Sequence, residues 1–366
     1  MTYEFTTLPQ SRLVLALTRA GEALARLDER IARSPIRNGF LERQDFGDAV
    51  SSLWVDGELV HMEDLVLHDA RMDIRSPTNE IVNAHRILRS RRLIYNNFPQ
   101  WPFTDQGLNL LRGKGWVQEP DEASKMAELN PEQEHDAEED TGDEALSDEL
   151  AEMDALLARS SATLDDVIHN ARAKSPANDF LLHEPEIDED AVLRQWRDLV
   201  DSCKDHPPLL QAAIILDAWG EMQVLERSPW LGRQLAAALL RGNGFAHLPA
   251  LNIGIRTIPR ERRRSRQQGE RLCAILDGIN EAAQLGMKEH DRLLNGKSRM
   301  ERRLVGRRSN SRLPDLIELV LAKPVVSTSM IVKALGTTPQ GAVGLANQLE
   351  LREMTGRGRF RAWGIL

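Results

Sequence analysis

The chain has 366 residues, 41% of them apolar, two cysteines and a formal net charge of −9. That length can bury a sizeable core and divides into about two or three domains. It excludes a small disulfide-stapled module: Cys203 and Cys273 stand in unrelated contexts without a histidine cluster, so neither a disulfide framework nor a zinc site is expected.

No apolar run approaches the roughly 20 residues that span a bilayer, and "MTYEFTTLPQ" carries neither a basic leader nor an apolar stretch. The expected compartment is the cytoplasm, with no membrane partner. Apolar residues recur at spacings of three and four almost throughout, which predicts a mainly helical protein with strands only at the very end. The first helix is expected from about Gln10 to Ala32 and the second from about Gly39 to Trp54. "HMEDLVLHDA" sets His61 and His68 seven residues apart, which suits a surface helix better than a metal-binding one, so no metal is expected. "RSPTNEIVNAHRILRSRRLI" offers Ser76 as a cap, Pro77 at the first helical position and Glu80 in the first turn. Its basic run, Arg89, Arg91 and Arg92, suits the negative end of the helix dipole. Residues 1–117 thus form an N-terminal helical region.

Between Glu119 and Leu157 sixteen Asp and Glu stand against one lysine, a local charge of −15 that leaves +6 for the rest of the chain. Like charges in such blocks repel and stay solvated, so residues 118–160 are expected to be a disordered linker or insertion. Helices resume near Leu164 and build a second helical region over 161–298. That region includes the basic stretch "RERRRSRQQGER", equally readable as a nucleic-acid patch or a solvated face. Residues 299–312, "RMERRLVGRRSNSR", read as a basic connector.

From Leu313 the pattern sharpens. "LPDLIELVLAKP" is an amphipathic helix closed by Pro324. "STSMIVKALG" is a second, with Ser327 as N-cap and Gly336 where a left-handed residue ends the helix. "TTPQGAVGLANQLEL" is a third, with Thr338 as cap, Pro339 at N1, and Ala342, Ala346 and Leu349 facing inward. Two helices joined at a glycine turn, followed by apolar and basic alternation in "REMTGRGRFRAWGIL", make residues 313–366 a helix-turn-helix with a two-stranded wing. The third helix would lie in a major groove of double-stranded DNA and present Thr338, Gln340, Gly341, Gly344, Asn347 and Gln348. Gln340 and Asn347 can pair with adenine. Arg352 and the wing residues Arg357, Arg359 and Arg361 would supply phosphate or minor-groove contacts.

"LLQAAIILDAWGEMQVLERSPWLGRQLAAALLRGNGFAHLPALNIG" resembles the core of the Fic family, all-helical nucleotidyl-transferring proteins. In that family a helix runs into His-Pro-Phe-x-Asp-Gly-Asn-Gly-Arg-x-Gly-Arg and a Leu/Ala-rich helix follows. Gly232 and Arg233 match the end of that motif. Met222 falls at the catalytic histidine, Glu226 at the metal-binding aspartate, and Arg227 to Trp230 replace the phosphate cradle. A thioether cannot take a proton at neutral pH, and Ser228, Pro229 and Trp230 bring bulk where glycine amides would close on an anion. The resemblance therefore implies a Fic-like fold emptied of its chemistry. It extends upstream to Ser52, Asp56 and Gly57, which loosely match the family's inhibitory Ser/Thr-x-x-x-Glu-Gly element with Asp for Glu. A degenerate Fic-like body with a terminal winged helix is similar to a rhizobial, plasmid-associated group of helix-turn-helix proteins of unknown function.

The resulting expectation is a non-enzymatic, sequence-specific DNA-binding protein, a transcriptional regulator without a cofactor, whose Fic-like body serves dimerisation or the sensing of a partner or effector. Two competing expectations are a diverged nucleotidyl or phosphoryl transferase built on Glu226 and Arg233, and a toxin–antitoxin component whose winged helix grips protein.

Overall fold

The computed structural model describes residues 10–72, 76–113, 188–304, 311–354 and 361–365. The chain divides into two compact units, Met1–Gly115 with Glu189–Leu366, and Trp116–Asp188. The second lies, apart from Asp188, outside the described residues, and the expected acidic linker at 118–160 falls there.

The described part is mainly helical. Helices α1 (Gln10–Ala32), α2 (Arg37–Asp56), α3 (Met62–Asp69), α4 (Asn79–Asn96) and α5 (Asp105–Leu111) form the N-terminal region. α6 (Glu189–Ser202), α7 (Pro208–Met222), α8 (Pro229–Gly242), α9 (Leu251–Ile255), α10 (Arg260–Arg263) and α11 (Gln268–Arg302) continue the body. α12 (Leu313–Ala322), β1 (Val326–Ser327), α13 (Thr328–Leu335), α14 (Pro339–Gln348), β2 (Arg352–Glu353) and β3 (Ala362–Gly364) make the C-terminal module. No helix among the described residues is long and apolar enough to cross a membrane.

The body is layered on its most apolar helices. α7, "PLLQAAIILDAWGEM", is buried on nearly every side, as a helix without a polar stripe must be, and packs between α8, α6 and α11. α11 is 35 residues long and carries α1 along its length, with α9 against it. α2 is held by α4, α9 and α12, so it touches both the body and the C-terminal module.

Four expectations are corrected. α4 is capped by Thr78, whose side chain accepts from the Ile81 amide, and begins two residues after Pro77. Ser76 is not its cap, because the helix starts at Asn79 and Thr78 is the residue directly before it. Arg91 does not serve the helix dipole: it is buried and bound to Asp45 and Asp48 on α2. Residues up to Arg302 of the expected connector are the last turn of α11. The wing also gains a strand, since β1 pairs antiparallel with β3, in the order β1-β3-β2.

The C-terminal module is seated on the body, not tethered beside it. The buried Arg43 of α2 donates to the carbonyls of Val320, Leu321 and Lys323 at 2.8, 3.2 and 2.7 Å, satisfying the free end of α12. In return Lys323 reaches Glu42 at 2.6 Å and Asp69 at 3.3 Å, its ammonium 4.9 Å from the centre of the Phe46 ring. Arg292 of α11 donates to the Ile365 carbonyl beyond β3, and Arg303 to the Leu349 carbonyl at the end of α14.

Asp69 is the meeting point of this joint. Burial pushes its carboxyl pKa up, but hydrogen bonds with His85 and Arg92 and the charges of Arg92 and Lys323 outweigh that and hold it well below the usual carboxylate range. A depressed pKa stabilises the fold above its unfolded value, and that gain is lost as pH falls toward the folded value. Asp69→Asn is therefore expected to lower Tm at pH 7, and the gap to the parent to close as pH falls below about 4. Tm measured against pH for both proteins checks this.

Candidate functional site

Two sites follow from the sequence, one in the body and one on the C-terminal module. In the body, α7 ends at Met222 and turns through Gln223, which adopts a left-handed conformation (φ 51°). Met222 is half-buried against the core and does not line the neighbouring cavity, whereas Gln223 and Glu226 do. Ser228 is the N-cap of α8 with Pro229 at N1, and Trp230 is buried beneath the Arg86 guanidinium. Bulk thus occupies the turn where the resemblance places a glycine cradle. Gly232 has a different reason to be glycine. A Cβ there would lie 2.3 Å from Cγ of Trp219, so the close packing of α8 on α7 requires its absence.

Arg233 is tied down. Its Nη1 and Nη2 donate to Asp56 at 2.9 and 2.6 Å, and Nη2 also reaches the Ser52 hydroxyl at 2.9 Å. The Ser52–Asp56–Gly57 match, loose by sequence, is thus a direct partner of the loop, with Gly57 ending α2 in a left-handed conformation (φ 98°). The cavity beside this pair holds about 540 Å³. Across it Arg271 forks onto Asp217 at 2.6 and 3.0 Å. Among the described residues no group of three or more His, Cys, Asp or Glu is placed to hold a metal ion.

The C-terminal module matches its reading closely. Ser327 accepts from the Met330 amide at 3.2 Å, Gly336 ends α13 at φ 56°, and Thr338 accepts from the Gly341 amide at 3.1 Å. Ala342, Ala346 and Leu349 are buried, which fixes the rotation of α14. Its opposite side carries Gln340, Asn347 and Gln348 exposed, with Gly341 and Gly344 between them at helical spacing. A Cβ on Gly344 would meet nothing within 4 Å, so the surface there is open and shallow.

The basic residues divide. Arg352 on β2 is exposed, while Arg361 is paired with Glu353 at 2.7 Å and lies over Trp363. Arg357 and Arg359 lie outside the described residues. Sequence reasoning passed over Lys333, exposed on α13, and had Arg312 only as the end of the basic connector that adds charge for DNA; its guanidinium lies beside the turn at Gly336. Both sit near the helix-turn-helix, a position that charge spacing alone does not give.

Residues 313–366 match the family described as "HTH DNA binding domain". Fold and site therefore define a helical protein whose C-terminal module is a DNA-binding helix-turn-helix with a small antiparallel wing. Residues 181–305 match the family described as "Protein of unknown function (DUF1612)". The chain is 46% identical over 381 residues to the uncharacterized protein y4cF of Sinorhizobium fredii (strain NBRC 101917 / NGR234), with 100% of both chains covered, and it belongs to that protein's family. It is also similar to a Fic family protein from Desulfovibrio desulfuricans G20 known from a crystal structure, at 12% identity and a TM-score of 0.47 over 99% of this chain and 98% of that one.

Proposed function

We propose that this protein is a sequence-reading transcriptional regulator whose body performs no nucleotidyl transfer. The observation that carries the reading is the two-sidedness of α14. One side locks into the module through Ala342, Ala346 and Leu349, while the other offers amide side chains around an open glycine. Glutamine and asparagine on an exposed helix face read adenine edges, and a bare Gly344 lets the helix backbone approach the groove floor. Lys333, Arg352 and Arg312 supply the phosphate contacts that α14, without a basic residue, cannot. The body acts as a dimer, placing two copies of α14 about one helical turn of DNA apart. Against transfer chemistry stands the packing of Met222 and the two-point grip of Asp56 on the terminal nitrogens of Arg233.

The test is fluorescence anisotropy with labelled duplexes tiled across the DNA upstream of the protein's own gene. Asn347→Ala is expected to weaken the preferred duplex by about 1–3 kcal/mol while leaving random duplex unchanged. Lys333→Ala is expected to weaken all duplexes alike and to lower the salt slope by about 1. Failure to bind any duplex at low salt, together with transfer of labelled nucleotide from ATP to an acceptor, would refute the proposal.

A further inference from the structure

The body cavity has the make-up of a binding site that neither the helix-turn-helix nor a lost transfer reaction explains. Its volume of about 540 Å³ falls within the range of small-molecule sites, and Leu216, Ile255 and Ile275 give it apolar walls. Four carboxylates and four guanidinium groups line it, so it is charge-balanced but not charge-paired throughout. Arg233 is matched by Asp56, and Arg271 by Asp217 with Glu221 at 3.2 Å. Arg263, Arg264 and Glu226 remain without an ion-pair partner among the described residues.

These remaining charges form two poles. Arg263 lies over Trp54, its Nε donates to the Ile258 carbonyl at 3.0 Å, and it sits among Arg233, Arg264 and Arg260; burial first, and then those like charges, partly offset by Asp56, hold its guanidinium below its ordinary pKa. Glu226 lies on the turn after α7, whose last residues include Glu221. A ligand carrying only an anion would satisfy the arginines and leave Glu226 unmatched. A polyphosphate would meet four lining carboxylates. One anionic group and one cationic group on a short apolar frame satisfy both poles.

One helix joins this cavity to the DNA reader. The C-terminal end of α2 places Asp56 on Arg233, and its N-terminal half places Arg43 on the carbonyl end of α12, thirteen residues or about 20 Å away along a continuous helix. Arg233 holds α2 through Asp56 and Ser52, and Arg263 lies over the ring of Trp54, also on α2, so a ligand that moves these arginines acts on the end of a rigid helix.

We propose that the cavity is a receptor site for a small zwitterion of the free amino-acid class, its anionic group on Arg263 and Arg264 and its cationic group on Glu226, and that α2 transmits occupancy to the helix-turn-helix. The transmission rests on the DNA-binding reading; the site does not. The experiment is calorimetric titration of the full chain with each of the twenty free amino acids at millimolar concentration, without DNA. At least one is expected to bind saturably, and its N-acetyl and methyl-ester forms, each lacking one charge, are expected to bind about tenfold more weakly or worse. Arg264→Gln and Glu226→Gln alter exposed side chains and are expected to produce the same loss without lowering the Tm of the unliganded protein. If none of the twenty binds, or if binding survives both substitutions, the site is overturned. Saturating ligand is then expected to shift the Kd for duplex DNA by about fivefold or more, and DNA to shift the ligand Kd by the same factor. An unchanged duplex Kd with the ligand bound overturns the role of α2. Ligand binding by a chain that ignores all duplexes overturns transmission and the DNA-binding reading while leaving the site standing.

Discussion

Arg91→Met is expected to lower the unfolding free energy by about 3–5 kcal/mol, the loss typical of stranding one member of a buried ion pair. Arg91 is 1% exposed, and its guanidinium donates to Asp45 and Asp48 at 2.8 Å each, to the Leu248 carbonyl at 3.1 Å and to the Pro249 carbonyl at 3.3 Å. Asp48 is fully buried and also accepts from the backbone and side-chain amides of Asn252, each at 2.8 Å. Methionine fills the volume of the stem but leaves the Asp48 charge inside with only neutral donors. The strain spreads because this cluster fastens α2, α4 and the start of α9 together. Urea unfolding reads the loss as a fall in midpoint. The double variant Arg91→Met/Asp48→Asn is expected to regain a substantial part of it, because the amide removes the buried charge and still offers an oxygen to Asn252. A midpoint unchanged in the single variant would mean that Arg91 is solvated and that α2 and α4 are not joined as described.

Sequence made one class of feature legible and hid another, and Arg91 shows the boundary between them. Caps and turns are local: Ser327, Gly336, Thr338 and Pro339 act on residues three or four positions away, so the helix-turn-helix could be drawn from them directly. The inward face of α14 followed from its period. Arg91 and Arg43 carry the same letters as surface arginines, and their partners lie up to about 280 residues away, beyond any periodic signal. β1 escaped because two residues, Val326 and Ser327, carry no alternation, and its pairing with β3 is set by the tertiary fold. Asp56 and Arg233, 177 residues apart, were brought into view together only because both matched one family pattern. Glu226 came into view by the same pattern, whereas Arg263 and Arg264, at the end of α10, had no such guide and could be grouped with it only by the fold.

The second large effect is expected where α2 meets the DNA-reading module. Arg43→Met should lower the unfolding free energy by about 3–5 kcal/mol, because three carbonyls at the end of α12 lose a charged donor in a place water does not reach freely. The guanidinium there is buried enough that desolvation, partly offset by Glu289, brings its pKa down to about 10, so it remains charged at neutral pH and its hydrogen bonds are charge-assisted. Arg43→Lys should recover little: one ammonium cannot span the carbonyls of Val320, Leu321 and Lys323 as a planar fork does, and lysine gives up its charge more readily when buried. Lys323→Met removes the reciprocal contact to Glu42 and Asp69 from a more open position and should cost less, about 1 kcal/mol. Urea midpoints rank the three variants. Duplex binding by Arg43→Met, measured at a temperature where the protein is still folded, separates two kinds of joint. Affinity falling with stability means that α2 holds the reader in its working position. Affinity retained while the midpoint falls means that the module reads DNA by itself and that the seat on α2 serves stability alone.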